Sequence, residues 1–406
     1  MKRTAVIILA ACTLSFNACA QWYLFPGQKK QGEDNSTTVK EEKPTAQPEN
    51  PTEVLFADQQ EKQLPAVEEY AYEELSTVNA ALILPLQSAS SPSANFFEMY
   101  NGALLAARQA GEFGTGVNLN VFDSTDGSSW MDFDTINSNN LIIGPVSTDE
   151  LEKLSALCSD KQYIVSPLEP KAAALADSLN IFHAPTPWTC QLDELVNWIG
   201  RGVKFNERIV VIKDPKELGE QSTYLLEKLN EKGLVFITAE AATAETIPTG
   251  IEARCLIVSD RDDFISSVIR SLNTLVTNDK KEVTLYGNSK TRTAASDVRL
   301  LHNLNAHITA AFYIDYDSPK VKDFVLAYRA LFKNEPGSFA FQGYDTMHYF
   351  LNLCRIYGVQ WYKKLSDFSE SGLQADFNFP ETETKGCVNT AIRRIVFNSD
   401  LSSSLQ

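Results

Sequence analysis

Residues 80–86 read Ala80-Ala81-Leu82-Ile83-Leu84-Pro85-Leu86, an unbroken apolar run of strand length, and they are followed by Phe96, Phe97, Tyr100, Leu104 and Ala107 at helical spacing. Strand followed by helix then recurs. Val117 to Phe122 ends at Asp123; Leu141-Ile142-Ile143 ends at Gly144-Pro145 and leads into a helix from Thr148 to Cys158; Tyr163-Ile164-Val165 ends at Ser166-Pro167. A second series begins after Pro185-Thr186-Pro187 and a helix to Gly202. It contains strands at Arg208–Lys213, Leu234–Ile237, Cys255–Val258 and Val283–Tyr286, with helices over Glu220–Lys232 and Phe264–Leu275. Short apolar strands alternating with helices imply parallel sheets covered on both faces. The expected fold class is therefore α/β, with two doubly wound parallel-sheet lobes in tandem. Further along, Ala311 to Tyr316 is strand-like, Lys320–Phe332 and Gly343–Tyr357 are helical, and Gly386–Asn398 supplies closing strands.

Outward from this body the chain changes character. Lys2 and Arg3 precede an apolar run of 11 residues from Val6 to Phe16, then Asn17-Ala18-Cys19-Ala20. This pattern reads as an export signal over residues 1–20, too short to span a bilayer. Ala18 and Ala20 set cleavage before Gln21; Leu9-Ala10-Ala11-Cys12 also fits a lipoprotein signal whose cysteine is acylated. Both readings place the protein in the periplasm or cell envelope, with the membrane reached only through a lipid anchor. Residues 21–78 read as a disordered acidic tether: five lysines stand against twelve acidic residues, and the Glu, Lys, Gln, Pro and Thr composition cannot bury enough surface to offset chain entropy. The whole chain carries 36 Lys and Arg against 52 Asp and Glu, a net −16 over 406 residues. That balance argues against a nucleic-acid partner, whose phosphates are held by clustered basic side chains.

Several strings in this order resemble the type I periplasmic binding proteins, in particular the leucine/isoleucine/valine-binding branch of ABC-transporter substrate-binding proteins. The strings are Leu82-Ile83-Leu84-Pro85-Leu86 with Tyr100-Asn101-Gly102-Ala103, then Asp123-Ser124-Thr125, Ile142-Ile143-Gly144-Pro145-Val146-Ser147 and Val165-Ser166-Pro167. Phe324 to Arg329 and Phe339 to Asp345 follow near the end. The resemblance implies two lobes joined by a three-strand hinge, a ligand cleft between them, and closure about that hinge. The N-terminal lobe would be 79–187 with 311–370, and the C-terminal lobe 188–310 with 385–400.

It also implies where a ligand would sit. Ser147 and Thr148 match the position whose hydroxyl and amides bind an amino-acid carboxylate; a plain helix N-cap uses the same residue types. Ser88 lies in the turn after the first strand and either faces the cleft or belongs to a polar loop. After Ser166 the relatives offer small hydroxyl residues, whereas this chain has Leu168-Glu169-Pro170, and the Glu169 carboxylate would repel a ligand carboxylate. In the second lobe the expected aromatic and carboxylate positions read Ser259-Asp260-Arg261 and Gly287-Asn288-Ser289. Asp260, Asn288 and Ser289 are the candidates there. A free branched-chain amino acid is a poor match to this set.

Catalytic patterns are missing. There is no Gly-x-Ser-x-Gly elbow, phosphate loop or His-Glu-x-x-His, and His183, His302, His307 and His348 are dispersed. The expectation is a non-enzymatic protein without cofactor or metal. Without the signal five cysteines remain, an odd number for an oxidising compartment; one bridge involving Cys190 and Cys387 is an open option. Two functions follow. One is capture of a small polar solute for an ABC permease. The other is an envelope interaction module, similar to lipoproteins that use this domain to activate peptidoglycan synthases, with a peptidoglycan-synthesis protein as partner.

Overall fold

The computed structural model describes residues 75–112, 114–127, 130–216, 218–247 and 249–406. The signal and nearly all of the tether expected from the sequence lie outside the described residues. The first lobe begins with β1 (Thr77–Leu84), β2 (Gly116–Asp123), β3 (Leu141–Ile143), β4 (Ile164–Ser166) and β5 (Ile181–His183), interleaved with α1 (Ala94–Glu112), α2 (Phe133–Asn137) and α3 (Thr148–Ser155). β1 shows why the run at 80–86 is apolar at every position. Val78, Ala80, Leu82 and Leu84 enter one core with α1, while Ala81 and Ile83 enter another with α2 and α3. A strand packed on both faces has no solvent side on which to place polar residues. The strand starts at Thr77, with Val78 fully buried, so the last two residues assigned to the tether belong to the sheet.

The second lobe contains α4 (Trp188–Gly200), β6 (Glu207–Lys213), α5 (Glu220–Glu231), β7 (Phe236–Ala239), β8 (Glu252–Val258), α6 (Asp262–Thr277), β9 (Val283–Asn288), α7 (Ser289–Ala294), α8 (Val298–Asn303) and β10 (His307–Ala310). The chain then returns to the first lobe through α9 (Pro319–Phe332) and α10 (Ser338–Tyr357). It continues through the small hairpin of β11 (Glu370–Ser371) and β12 (Asp376–Phe377), then β13 (Cys387–Val388), β14 (Arg393–Phe397) and β15 (Ser403–Leu405). The first sheet has the order β13-β5-β4-β3-β1-β2 and is parallel throughout. The second has the order β15-β14-β10-β9-β8-β6-β7, parallel except that β14 runs antiparallel to both neighbours. In each sheet the first five strands are wound 2-1-3-4-5, so each has a switch point, between β1 and β3 and between β6 and β8.

Two sequence expectations shift. Residues 311–316 are not a strand; the strand is the preceding His307–Ala310, and the aromatic-rich stretch with Phe312, Tyr313 and Tyr316 belongs to a connection. Cys387 and Val388, assigned to the second lobe within 385–400, pair with Phe182 and His183 of β5 and complete the first sheet. The lobes are thus joined by crossovers at 184–187, 311–318 and 389–392. Side chains tie these together. Thr186 Oγ1 donates to the Ala391 carbonyl at 2.8 Å and Asn389 Nδ2 to the Ala184 carbonyl at 2.9 Å. The buried guanidinium of Arg393 donates to the carbonyls of Tyr313 (2.5 Å), Leu373 (3.1 Å) and Gly372 (2.6 Å) and to the Asp376 carboxylate (2.7 Å).

In the first lobe α1 and α10 cross in close contact. A Cβ on Gly102 would lie 1.9 Å from the Ala340 carbonyl oxygen, and one on Gly343 would lie 2.0 Å from that of Met99. Glycine is required at this crossing for space, since both positions are ordinary helix.

Candidate functional site

Open parallel sheets bind ligands outside the carboxyl ends of their strands, at the switch point. In the first lobe that edge carries Ser88 after β1, Asp123 at the end of β2 and Ser147 after β3. The Asp123 carboxylate accepts from the Ser88 amide (2.8 Å) and hydroxyl (2.7 Å) and from the Thr125 amide (3.0 Å) and hydroxyl (2.7 Å). Partial burial works against its charge, but these four donors prevail and hold its carboxyl well below the usual range. Ser147 is the N-cap of α3: its hydroxyl donates to the Glu150 carboxylate at 2.7 Å and accepts from the Glu150 amide at 3.4 Å. Thr148 is the first residue of that helix. Ser166 is fully buried beside His183 Nδ1, 3.4 Å away, and burial pushes the His183 pKa down to about 4. Glu169 caps the short 3-10 helix Pro170–Asp177 by accepting from the Lys171 amide at 3.1 Å. Ser147 and Glu169 are therefore engaged with chain neighbours and Ser88 with Asp123 of the adjacent strand, while Ser166 sits inside the sheet.

The second lobe brings its candidates together. Asp214, at the end of β6 and almost wholly buried, accepts from Arg261 Nε (2.8 Å), Arg261 Nη2 (3.1 Å) and the Ser259 hydroxyl (2.7 Å). The Arg261 fork, opposed by burial and aided by Ser259, holds the Asp214 carboxyl well below its ordinary value. This network fixes the turn 259–261 after β8. Asp260 then projects toward Gly219, at the start of α5, where a Cβ would lie 2.6 Å from Asp260 Oδ2. The Asp260 carbonyl accepts from Lys290 Nζ, yet its buried Oδ2 has no hydrogen-bond partner. Asn288 caps α7 through the amides of Lys290 (3.1 Å) and Thr291 (3.2 Å).

Asp260, Asn288, Lys290 and Ser259 line one cavity of about 20 Å³, floored by Leu192, Leu195 and Leu225. That is room for about one water molecule. Ser289 stands outside it: its hydroxyl accepts from Gln191 Nε2 at 2.7 Å, and the same amide group donates to the Thr309 carbonyl at 2.7 Å. The cavity holds one unpaired carboxylate oxygen beside one ammonium, a combination suited to a water molecule or to a single polar group at the end of a larger ligand. Sequence reasoning missed Asp214 and Lys290. Asp214 had a usable signal, since it is the first residue after β6; Lys290 had none, because its meeting with Asp260 depends on segments that follow two different strands.

Among the described residues no cluster of His, Cys, Asp and Glu is arranged to hold a metal ion, and Cys158, Cys190, Cys255, Cys354 and Cys387 are all free thiols. No described helix is long and apolar enough to cross a membrane.

Solved structures share this architecture. A Rhodospirillum rubrum protein described as a branched-chain amino acid ABC transporter matches at 16% identity and TM-score 0.56, over 81% of this chain and 100% of that one. Full-length LpoA of Haemophilus influenzae matches at 12% identity and TM-score 0.51 over 83% of this chain, which spans 60% of LpoA. LivJ of Streptococcus pneumoniae, a branched-chain amino acid substrate-binding protein in complex with isoleucine, matches at 14% identity and TM-score 0.41, over 81% and 99% of the two chains. No protein-family model and no curated protein sequence matches the chain. The fold is that of the type I periplasmic binding proteins.

Proposed function

We propose that the protein is a non-enzymatic extracytoplasmic binding protein that captures a small polar ligand at the facing strand ends of its two lobes and passes it to an ABC permease. The observation that carries this reading is Asp260, an unpaired buried carboxylate oxygen beside Lys290 at the second lobe's switch point. The first lobe shapes the ligand class. Its edge presents Asp123, Glu150 and Glu169, with the Ser88 and Ser147 hydroxyls already engaged, which disfavours a ligand carboxylate and favours an ammonium or hydroxyl-bearing group. Export rests on residues 1–20, with cleavage before Gln21 or acylation of Cys12 as the two routes.

A thermal-shift screen of amino acids, short peptides and muropeptides tests this, since a ligand at 100 times its dissociation constant adds about 2.7 kcal/mol. The expected result is a shift that Asp260→Ala abolishes. Likeness to LpoA, together with the long acidic segment 21–78, supports a second reading: an envelope module that binds a peptidoglycan-synthesis protein. Absence of any ligand shift, with a cell-wall synthase retained on the immobilised protein, would establish that reading over solute capture.

A further inference from the structure

A larger cavity lies away from the strand ends. It is a groove of about 480 Å³ on the flank of the hinge, between the outer face of α4 and the crossover at 389–392. That volume falls within the roughly 300–1,000 Å³ of small-molecule sites. Its walls are polar and come from both sides of the hinge. Asp193, Glu194 and Asn197 project from α4 and Arg394 from β14, while Thr390 lies in the crossover; Asn378 comes from the first-lobe segment anchored by buried Phe377 and Phe379.

The unspent hydrogen-bonding capacity of these groups defines a ligand. Tyr224 occupies one Asp193 oxygen at 2.9 Å and leaves the other free. Arg394 engages only Oε1 of Glu194, with its own guanidinium held over the Trp198 ring at 5.5 Å. Asn197 is exposed and its amide has no hydrogen bond; Asn378 Nδ2 reaches Thr390 Oγ1 at a long 3.4 Å. Arg394 balances one of the two side-chain carboxylates, which leaves one net negative charge among the lining side chains. Two open carboxylate oxygens call for a cationic donor, and two amides beside them call for hydroxyls.

We propose that this groove is a second ligand site, separate from the interlobe face, which binds a small hydroxylated amine of the amino-sugar type. The ammonium sits between Asp193 and Glu194, and the hydroxyls meet Asn197 and Asn378. Because Asn378 belongs to one lobe and α4 to the other, the groove changes width whenever the hinge turns. Occupancy therefore favours one hinge angle and couples this site to the interlobe one by differential affinity.

Calorimetric titration of the full chain with glucosamine, glucose and ethanolamine tests the assignment. Glucosamine should bind saturably at one site, with glucose and ethanolamine each at least about tenfold weaker, the loss expected when a charge-assisted bond or the hydroxyl contacts are withdrawn. Asn197→Trp, at an exposed position, should abolish binding without changing the melting temperature of the free protein. Asp193→Asn keeps an acceptor for Tyr224 and should weaken glucosamine by about tenfold or more. Asp260→Ala should leave glucosamine affinity unchanged, which separates this site from the one proposed above. No saturable glucosamine binding at millimolar concentration would overturn the proposal. So would glucose binding as tightly as glucosamine, binding that survives Asn197→Trp, or binding lost on Asp260→Ala.

Discussion

Replacing Arg393 by Met keeps most of the side-chain volume and removes the guanidinium, which makes it a direct test of what holds the crossovers. Arg393 is 4% exposed. Its fork serves three carbonyls, those of Tyr313 in the second crossover and of Gly372 and Leu373 in the loop before β12, and the carboxylate of Asp376. Met satisfies none of them. Stranding a buried acceptor costs about 1–3 kcal/mol each, but the four costs do not add, because the Asp376 side chain is 25% exposed and regains water once released. The better guide is the roughly 3–5 kcal/mol measured when one partner of a buried ion pair is removed. Urea unfolding followed by tryptophan fluorescence should show Arg393→Met destabilised by about that amount, and Arg393→Lys, which keeps the charge and loses the fork, by less. A loss below about 1 kcal/mol, the size of an exposed pair, would refute the claim that this residue clamps the hinge.

The neighbouring Asp345 should give the protein a pH-dependent stability term. Complete burial pushes its carboxyl up to about 6 from 3.8, against the opposing amides of Leu373, Gln374 and Ala375 and the charge of Arg393. A folded pKa above the unfolded one means that the contribution is complete below pH 3.8 and is lost as pH rises through about 6. Subtracting the urea stability of Asp345→Asn from that of the natural protein at pH 4 to 7 should give a curve that falls by up to about 3 kcal/mol; a rising curve would reverse the assignment. Ser147→Ala should cost about 1 kcal/mol through loss of the α3 cap, read by the same unfolding assay, and leave ligand affinity unaltered. Weakened affinity without lost stability would return Ser147 to the binding surface.

The sequence carried the fold wherever the burial pattern is local. Strands packed on both faces, such as β1 and β8, are apolar throughout and stand out from any neighbour. Residues 311–316 misled because a run rich in aromatic and β-branched residues suits a strand and equally suits a crossover that packs Tyr313 and Ile314 against cores from opposite lobes. Cys387 and Val388 escaped because two residues are too few to show a period, and only pairing with β5 defines them. At the candidate site, caps were legible: Ser147, Glu169 and Asn288 each bond within three residues of themselves. What could not be read was convergence. The Asp214–Arg261 bond joins residues 47 apart in sequence, and the Lys290 ammonium reaches the Asp260 carbonyl across 30. Arg393 carries no local signal in its terminal strand, since its partners come from two distant segments, the second crossover and the hairpin of β11 and β12.

The interlocked glycines of α1 and α10 bear on the order in which the molecule is built. Gly102 is made early and its partner surface at Ala340 late, with the whole first part of the second lobe synthesised between them. Until α10 arrives, Met99, Ala103, Ala106 and the face of β1 beneath α1 are only partly covered. The first lobe to emerge therefore cannot close until the chain is nearly complete, and its completion waits on contacts of very long sequence separation. A fragment ending near residue 310 would hold every parallel strand except β13 and still lack the helix that seals the first core. A nascent first lobe therefore needs protection from aggregation until the last quarter of the chain has been made.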